Sequence, residues 1–197
     1  MTTAKFLRRT HPDIPEGYEE SLREVEGLLP PEAQAADAQA VTNIVLRKLG
    51  IIRDREKRLK MIRALAHFDA PWVPSVFLEL LGDGLEQVRD LAVRELTRRP
   101  DCPSSAIYAR LERPPWYAKS AVLKLLAERK EKDSIPHIRR LIDDPNVDVK
   151  RSAALALGAI GGSEARALLV ILARDKSHYV RTAAEEMLEK LCDFKFS

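Results

Sequence analysis

Five basic residues recur along this chain at nearly constant spacing: Arg58, Arg89, Lys119, Lys150 and Arg181. Two chemistries fit such a column. The cations can form a stripe that grips phosphates. Alternatively, they can pair with carboxylates and tie repeated units together. Asp83, Asp144 and Asp175 stand six residues before Arg89, Lys150 and Arg181, and this pattern favours pairing. Trp116 and Tyr117 follow Pro114-Pro115 and lie beside Arg113 and Lys119. Aromatics next to cations are common partner anchors, and they can also stack a base. The competing role is packing between units, as for Val147 in the next one. Large aromatics are usually mostly buried, which favours packing here and more strongly for Trp72 after Pro71.

The remaining reactive side chains are scattered. His11, His67, His137 and His178 stand alone, and Cys102 and Cys192 have neither metal-ligand nor redox spacing. No HxxxH, CxxC, GxSxG or P-loop pattern occurs. Gly158-Ala159-Ile160-Gly161-Gly162 has the composition of a phosphate-cradling loop but follows a helical pattern rather than a strand. Its glycines read better as helix terminators. These absences lead us to expect no catalytic residues, no cofactor and no metal.

Hydrophobic residues make up 45% and charged residues 32% of the 197 residues, which suits a packed chain rather than a disordered one. The net charge of +3 is too small to argue for nucleic acid by itself. Residues 51–130 carry 16 basic and 11 acidic side chains, a mild basic bias in the middle. No stretch approaches the roughly 20 apolar residues of a membrane span. With no signal-like leader and two isolated cysteines, the expectation is a cytoplasmic protein.

The elements that must position these residues are helices. Residues 1–15 read as an arm, because His11-Pro12-Asp13-Ile14-Pro15 cannot continue a helix. A first helix is predicted over 16–29, ended by Pro30-Pro31. Apolar spacing then predicts helices over 32–49, 53–68, 72–81, 87–98, 104–111, 116–129, 134–142, 147–160, 164–173 and 179–191. Gly50 is the expected terminator of the first of these and Ser163 the expected N-cap of the ninth. No stretch alternates apolar and polar residues between turn signals, so no strands are expected.

Alternate helices superimpose. Val88, Ala118, Val149 and Val180 are equivalent, at steps of 30, 31 and 31 residues. Four positions on stand Ala92, Val122, Ala153 and Ala184. Eight on stand Leu96, Leu126, Leu157 and Leu188. Offsets 0, 4, 7 and 8 share one helical face, so this is a core stripe repeated in register. A fifth copy puts Lys57 at the valine position and keeps Met61 and Leu65. A single helical hairpin cannot bury both its faces, so such units must stack. The expected fold is an all-α, right-handed solenoid of about five two-helix repeats, over 32–68, 71–99, 103–130, 133–161 and 163–192, forming one domain with the N-terminal helix. That helix and Phe194-Lys195-Phe196 are candidate end caps.

The run from Asp144-Pro145 to Gly158, with Leu141-Ile142 before it, resembles the HEAT-repeat family, in its short bacterial type first associated with phycobilisome lyases. The resemblance implies a ladder between stacked repeats built from Asp83, Arg89, Asp144, Lys150, Asp175 and Arg181. Lys119 keeps the basic position although Arg113 replaces its aspartate, and Arg58 keeps it with Asp54 nearby. The His-Glu pairs of the HEAT-like deoxyhypusine hydroxylases are missing.

In such arrays the second helices line the concave surface. Offset 6 then gives a basic row, Arg63, Arg94 and Lys124, before Leu155 and Glu186. Offset 5 gives Ile62, Val93 and Leu123 as an apolar ridge, or else as contacts to neighbouring helices. The candidate partner-binding residues are Ile62, Arg63, Val93, Arg94, Trp116 and Lys124. The expected function is a non-catalytic scaffold or adaptor, monomeric, that binds another protein on its concave face. An acidic or amphipathic helical segment suits that face. Alternatives are nucleic-acid binding, as in HEAT-like alkylpurine DNA glycosylases, with Asp90 the one carboxylate well placed, and a phycobilin-lyase-like enzyme or chaperone.

Overall fold

A computed structural model describes residues 18–28, 37–100, 102–112 and 115–193. The expected arm, the Pro30-Pro31 stop, Arg113, Pro114 and the Phe194-Lys195-Phe196 cap lie outside the described residues. The elements are α1 (Tyr18–Leu28), α2 (Ala38–Ile51), α3 (Arg55–Leu65), α4 (Val73–Leu80), α5 (Glu86–Thr97), α6 (Ser104–Tyr108) and α7 (Trp116–Arg129). A 3-10 turn at Lys132–Ser134 leads into α8 (Ile135–Arg139), followed by α9 (Val147–Ile160), α10 (Ser163–Leu172) and α11 (His178–Asp193). No extended strand occurs among the described residues.

The helices form two layers of a solenoid. In one, α5 packs on α7, α7 on α9 and α9 on α11, while α1 heads the layer by packing on α3. In the other, α2 packs on α4 and α8 on α10. The repeated core stripe is closed: Val88, Ala92, Leu96, Val122, Leu126, Val149, Ala153, Leu157, Val180 and Ala184 are fully buried. Lys57, at the valine position of α3, is instead exposed and bonds Glu24 of α1 at 2.8 Å.

Several boundaries differ from expectation for identifiable reasons. Gly50 is helical and does not end α2, which runs to Ile51. Ser163 is the first residue of α10, and the N-cap is Gly162, whose φ of 95° follows a φ of 72° at Gly161. Gly158 is not a terminator. It lies inside α9, where a Cβ would meet Met187 of α11 at 2.5 Å. Its missing side chain is what allows the two helices to approach so closely. The short helices α6 and α8 stop earlier than their apolar pattern, so Leu111, Leu141 and Ile142 are buried from turns instead.

The aspartates hold the units in register. Asp83 Oδ1 accepts Leu85 N at 2.9 Å, Asp144 Oδ1 accepts Asn146 N at 2.9 Å and Asp175 Oδ1 accepts Ser177 N at 2.8 Å. Each carboxylate thus closes its own turn. Its other oxygen receives a cation from the preceding unit. Arg58 bonds Asp83, Lys119 Nζ reaches Asp144 at 2.8 Å and Lys150 Nζ reaches Asp175 at 2.5 Å, each across 25 residues. Arg89 and Arg181 behave differently. Arg89 Nη1 donates to the carbonyls of Asp83 and Gly84, and Arg181 Nη1 to those of Asp175 and Lys176, within their own turns.

A second row of arginines has no counterpart in the sequence reading. Arg99, 1% exposed, donates through Nη2 to the carbonyls of Ala66 and Phe68 at 2.9 and 3.1 Å. Arg129 Nη2 donates to those of Leu96 and Arg99 at 2.5 and 2.7 Å. Each guanidinium donates to carbonyls at the end of the preceding unit's second helix and its turn, where the helical ladder runs out.

Two predictions follow from this packing. Gly158→Ala destabilises by about 1–3 kcal/mol through overpacking against Met187, whereas Gly50→Ala, where nothing lies within 4 Å of the new methyl, stabilises by up to about 1 kcal/mol through helix propensity. Urea unfolding of both variants, with Met187→Ala as the coupling partner, measures this.

The second concerns Asp175. Burial raises its carboxyl pKa, but the hydrogen bonds from Lys150 and Ser177 and the charges of Lys150 and Arg181 outweigh burial and hold it below the ordinary value. Its contribution is therefore present above the unfolded carboxylate range and is lost as pH falls through the folded pKa. Asp175→Asn is less stable than the parent at neutral pH, and the gap narrows in acid. Thermal unfolding as a function of pH checks the sign.

Candidate functional site

A groove of about 610 Å³ opens on the second-helix layer across α5, α7 and α9. The N-terminal ends of these helices build one wall. Pro115 is the N-cap of α7, in extended geometry, and it delivers Trp116 and Tyr117 as the first two helical residues. Trp116 is 46% exposed, which overturns the expectation that it plugs a gap between units. Trp72, at 2% exposure, does sit in the core as expected. The Trp116 and Tyr117 rings meet edge-to-face at 5.7 Å, and Leu155 of α9 adds a partly exposed aliphatic side chain to the lining.

The floor is made of small residues. Ala121, Ser120, Ala127, Ser152 and Ala156 line it. The same small side chains let α7 and α9 pack closely, so the sequence feature that permits stacking also leaves the hollow.

Charge is mixed around the rim. Lys124 Nζ pairs with Asp90 at 2.8 Å, with both groups about half exposed. Such a pair contributes little to stability. Arg151, Glu86 and Asp148 also face the groove. Arg89 lies on its wall with the guanidinium 4.8 Å from the centre of the Tyr117 ring, a cation-π contact.

The sequence-derived candidates separate on this geometry. Trp116 and Lys124 line the groove and are exposed. Arg63 and Arg94 are exposed on the same helical row but do not line the groove. Ile62 and Val93 require correction as an exposed ridge, since they are 0% and 1% exposed, although Val93 does line the groove. Leu123 and Ala154, their equivalents, are also at 0%. The reason is that each inner second helix is flanked on both sides, so its buried arc extends to offset 5. Only Glu185 of α11, at the same offset, is exposed.

Arg151 has no place in the sequence reading, Tyr117 enters it only as the neighbour of Trp116, and Leu155 only as the residue that ends the basic row. The signal available for Tyr117 and Leu155 was their place in the repeat, at positions equivalent to exposed residues of the neighbouring units. Among the described residues no cluster of three or more His, Cys, Asp or Glu could hold a metal ion. Elsewhere, on the first-helix layer, Tyr108 stacks on His137 at 4.1 Å and donates to Glu131. Burial, followed by that hydrogen bond, pushes its pKa up to about 12.

The two layers, with a repeated core and cross-unit cations, define a helical-repeat solenoid. Residues 104–189, from α6 into α11, match the family model for HEAT repeats. No curated protein matches this chain. Among solved structures, a designed armadillo repeat protein is similar at 18% identity and a TM-score of 0.43, covering 92% of this chain and 96% of its own. A second designed armadillo repeat protein, solved in complex with the peptide (KR)4, is similar at 16% identity and a TM-score of 0.46, covering 91% and 95%.

The exposure difference between the two tryptophans is directly measurable. Acrylamide quenches one emitting population strongly and leaves the other protected, and Trp116→Phe removes the quenchable one. Leu155→Ala changes stability by less than about 1 kcal/mol, while Val93→Ala costs about 1–3 kcal/mol in line with core truncation.

Proposed function

We propose that this protein is a non-enzymatic scaffold that holds a segment of another protein on the concave, second-helix face of its solenoid. The observation that carries this reading is the exposed Trp116 beside Tyr117 and Leu155, in a groove rimmed by charge. An aromatic anchor in a hollow with a polar rim is the usual make-up of an interface hot spot. Arg63, Arg94 and Lys124 lie along the same face toward the N-terminal units, and the acidic Glu185, Glu186 and Glu189 lie on α11. A bound amphipathic segment would find cations toward one end of its track and carboxylates toward the other. This charge gradient favours a polypeptide over a polyanion, which would be repelled at α11.

Photo-crosslinking tests the face. A crosslinker at position 155 captures the partner, and one at position 139 on α8 does not. Trp116→Ala combined with Lys124→Glu lowers partner recovery at least about tenfold, equivalent to about 1.4 kcal/mol. Equal capture from both positions rejects the second-helix face. Retention on duplex DNA at about 150 mM salt, lost in Arg63→Glu/Arg94→Glu, points to nucleic acid instead.

A further inference from the structure

The cross-unit pairing has a gap, and it lies at the groove. Arg58, Lys119 and Lys150 each reach an aspartate of the following unit. Arg89 belongs to the same column and has a following unit, but the stretch that precedes that unit's second helix reads Glu112-Arg113-Pro114-Pro115 in sequence. Its single acid, Glu112, is engaged by Arg140 at 3.1 Å. Arg89 Nη1 is held by the carbonyls of Asp83 and Gly84 at 2.8 and 3.1 Å. The guanidinium rests on the Tyr117 ring, and the side chain lines the groove next to Trp116.

An arginine fixed at one nitrogen and backed by an aromatic ring is pre-organised. Little side-chain freedom is left to lose when its other donors are used. A carboxylate suits that planar fork in the way the missing aspartate would have. We propose that Arg89 is the carboxylate receptor of the groove. An Asp or Glu side chain of a partner polypeptide that enters the groove pairs with Arg89, and an adjoining apolar side chain lies on Trp116 and Leu155. This rests on the groove being the partner site and adds the chemistry that selects the partner. The neighbouring Asp90 does not compete for Arg89, because it is paired with Lys124.

The test uses the full ¹⁵N-labelled chain and two blocked peptides, acetyl-Gly-Glu-Leu-Phe-Gly-amide and its Gln counterpart, added to millimolar concentration. The Glu peptide shifts the Trp116 indole N–H and the Arg89 Nε–H saturably. The Gln peptide binds about tenfold more weakly, as does the Glu peptide to Arg89→Gln, consistent with loss of one charge-assisted pair. Spectral dispersion of Arg89→Gln reports whether it folds, and the peptide comparison needs no variant. Equal binding of the two peptides at Trp116 removes Arg89 as receptor while leaving the groove as the site. No shift at Trp116 with either peptide rejects both readings. An equal response of Arg89 to inorganic phosphate or to a short DNA duplex makes the position a phosphate site and overturns the carboxylate assignment.

Discussion

The aspartate at the head of a second helix uses its two oxygens for different tasks. One accepts the backbone N–H two residues on and fixes the turn. The other takes a cation from the unit before. Local geometry and long-range register are thereby set by one carboxylate. If the turn is misformed, the second oxygen points away from its cation, and if the units slip, the cation has no partner. These pairs are only partly exposed, with Asp144 6% and Lys119 22% accessible. They therefore sit between the weak surface pair and the costly buried one, where the added backbone hydrogen bond offsets desolvation.

Much of this was legible in the chain because a repeat supplies its own controls. Residues at equivalent positions show which features every unit shares, and Asp144, Lys150 and the valine column stood out for that reason. Helix existence and order followed from apolar spacing. What was not legible depended on neighbours. The burial of Ile62 and Val93 arises because an inner helix is covered from two sides, and periodicity within one helix cannot register the second flank. Gly158 looked like a terminator because its role is a distance to Met187, 29 residues away and on another helix. Trp116 looked like filler because residue type alone predicts burial, whereas the N-terminal end of α7 projects it outward.

The groove is a consequence of the same packing. Stacking favours alanine and serine between second helices, since they allow close approach. Where large side chains do not compensate, small residues leave a hollow. Of the three helices that line it, α7 alone begins with two adjacent aromatics. The site therefore needs no departure from the fold, only a variation in one unit's turn, the same turn in which the ladder loses its aspartate. One local change in sequence accounts for both the missing ladder aspartate and the aromatic wall of the groove.

The arginines at the ends of the second helices introduce a direction. Arg99 covers the carbonyls that end α3 and its turn, and Arg129 covers those that end α5. The cations of the ladder also await an acceptor that comes later in the chain. A unit is thus finished by the one that follows it. On a ribosome, where the chain emerges from its N-terminus, α3 and α5 would pass through a period with bare ends, and Arg58, Lys119 and Lys150 through one with no acceptor. Assembly would trail synthesis by about one unit, and an early stop would leave its defect at the last unit made.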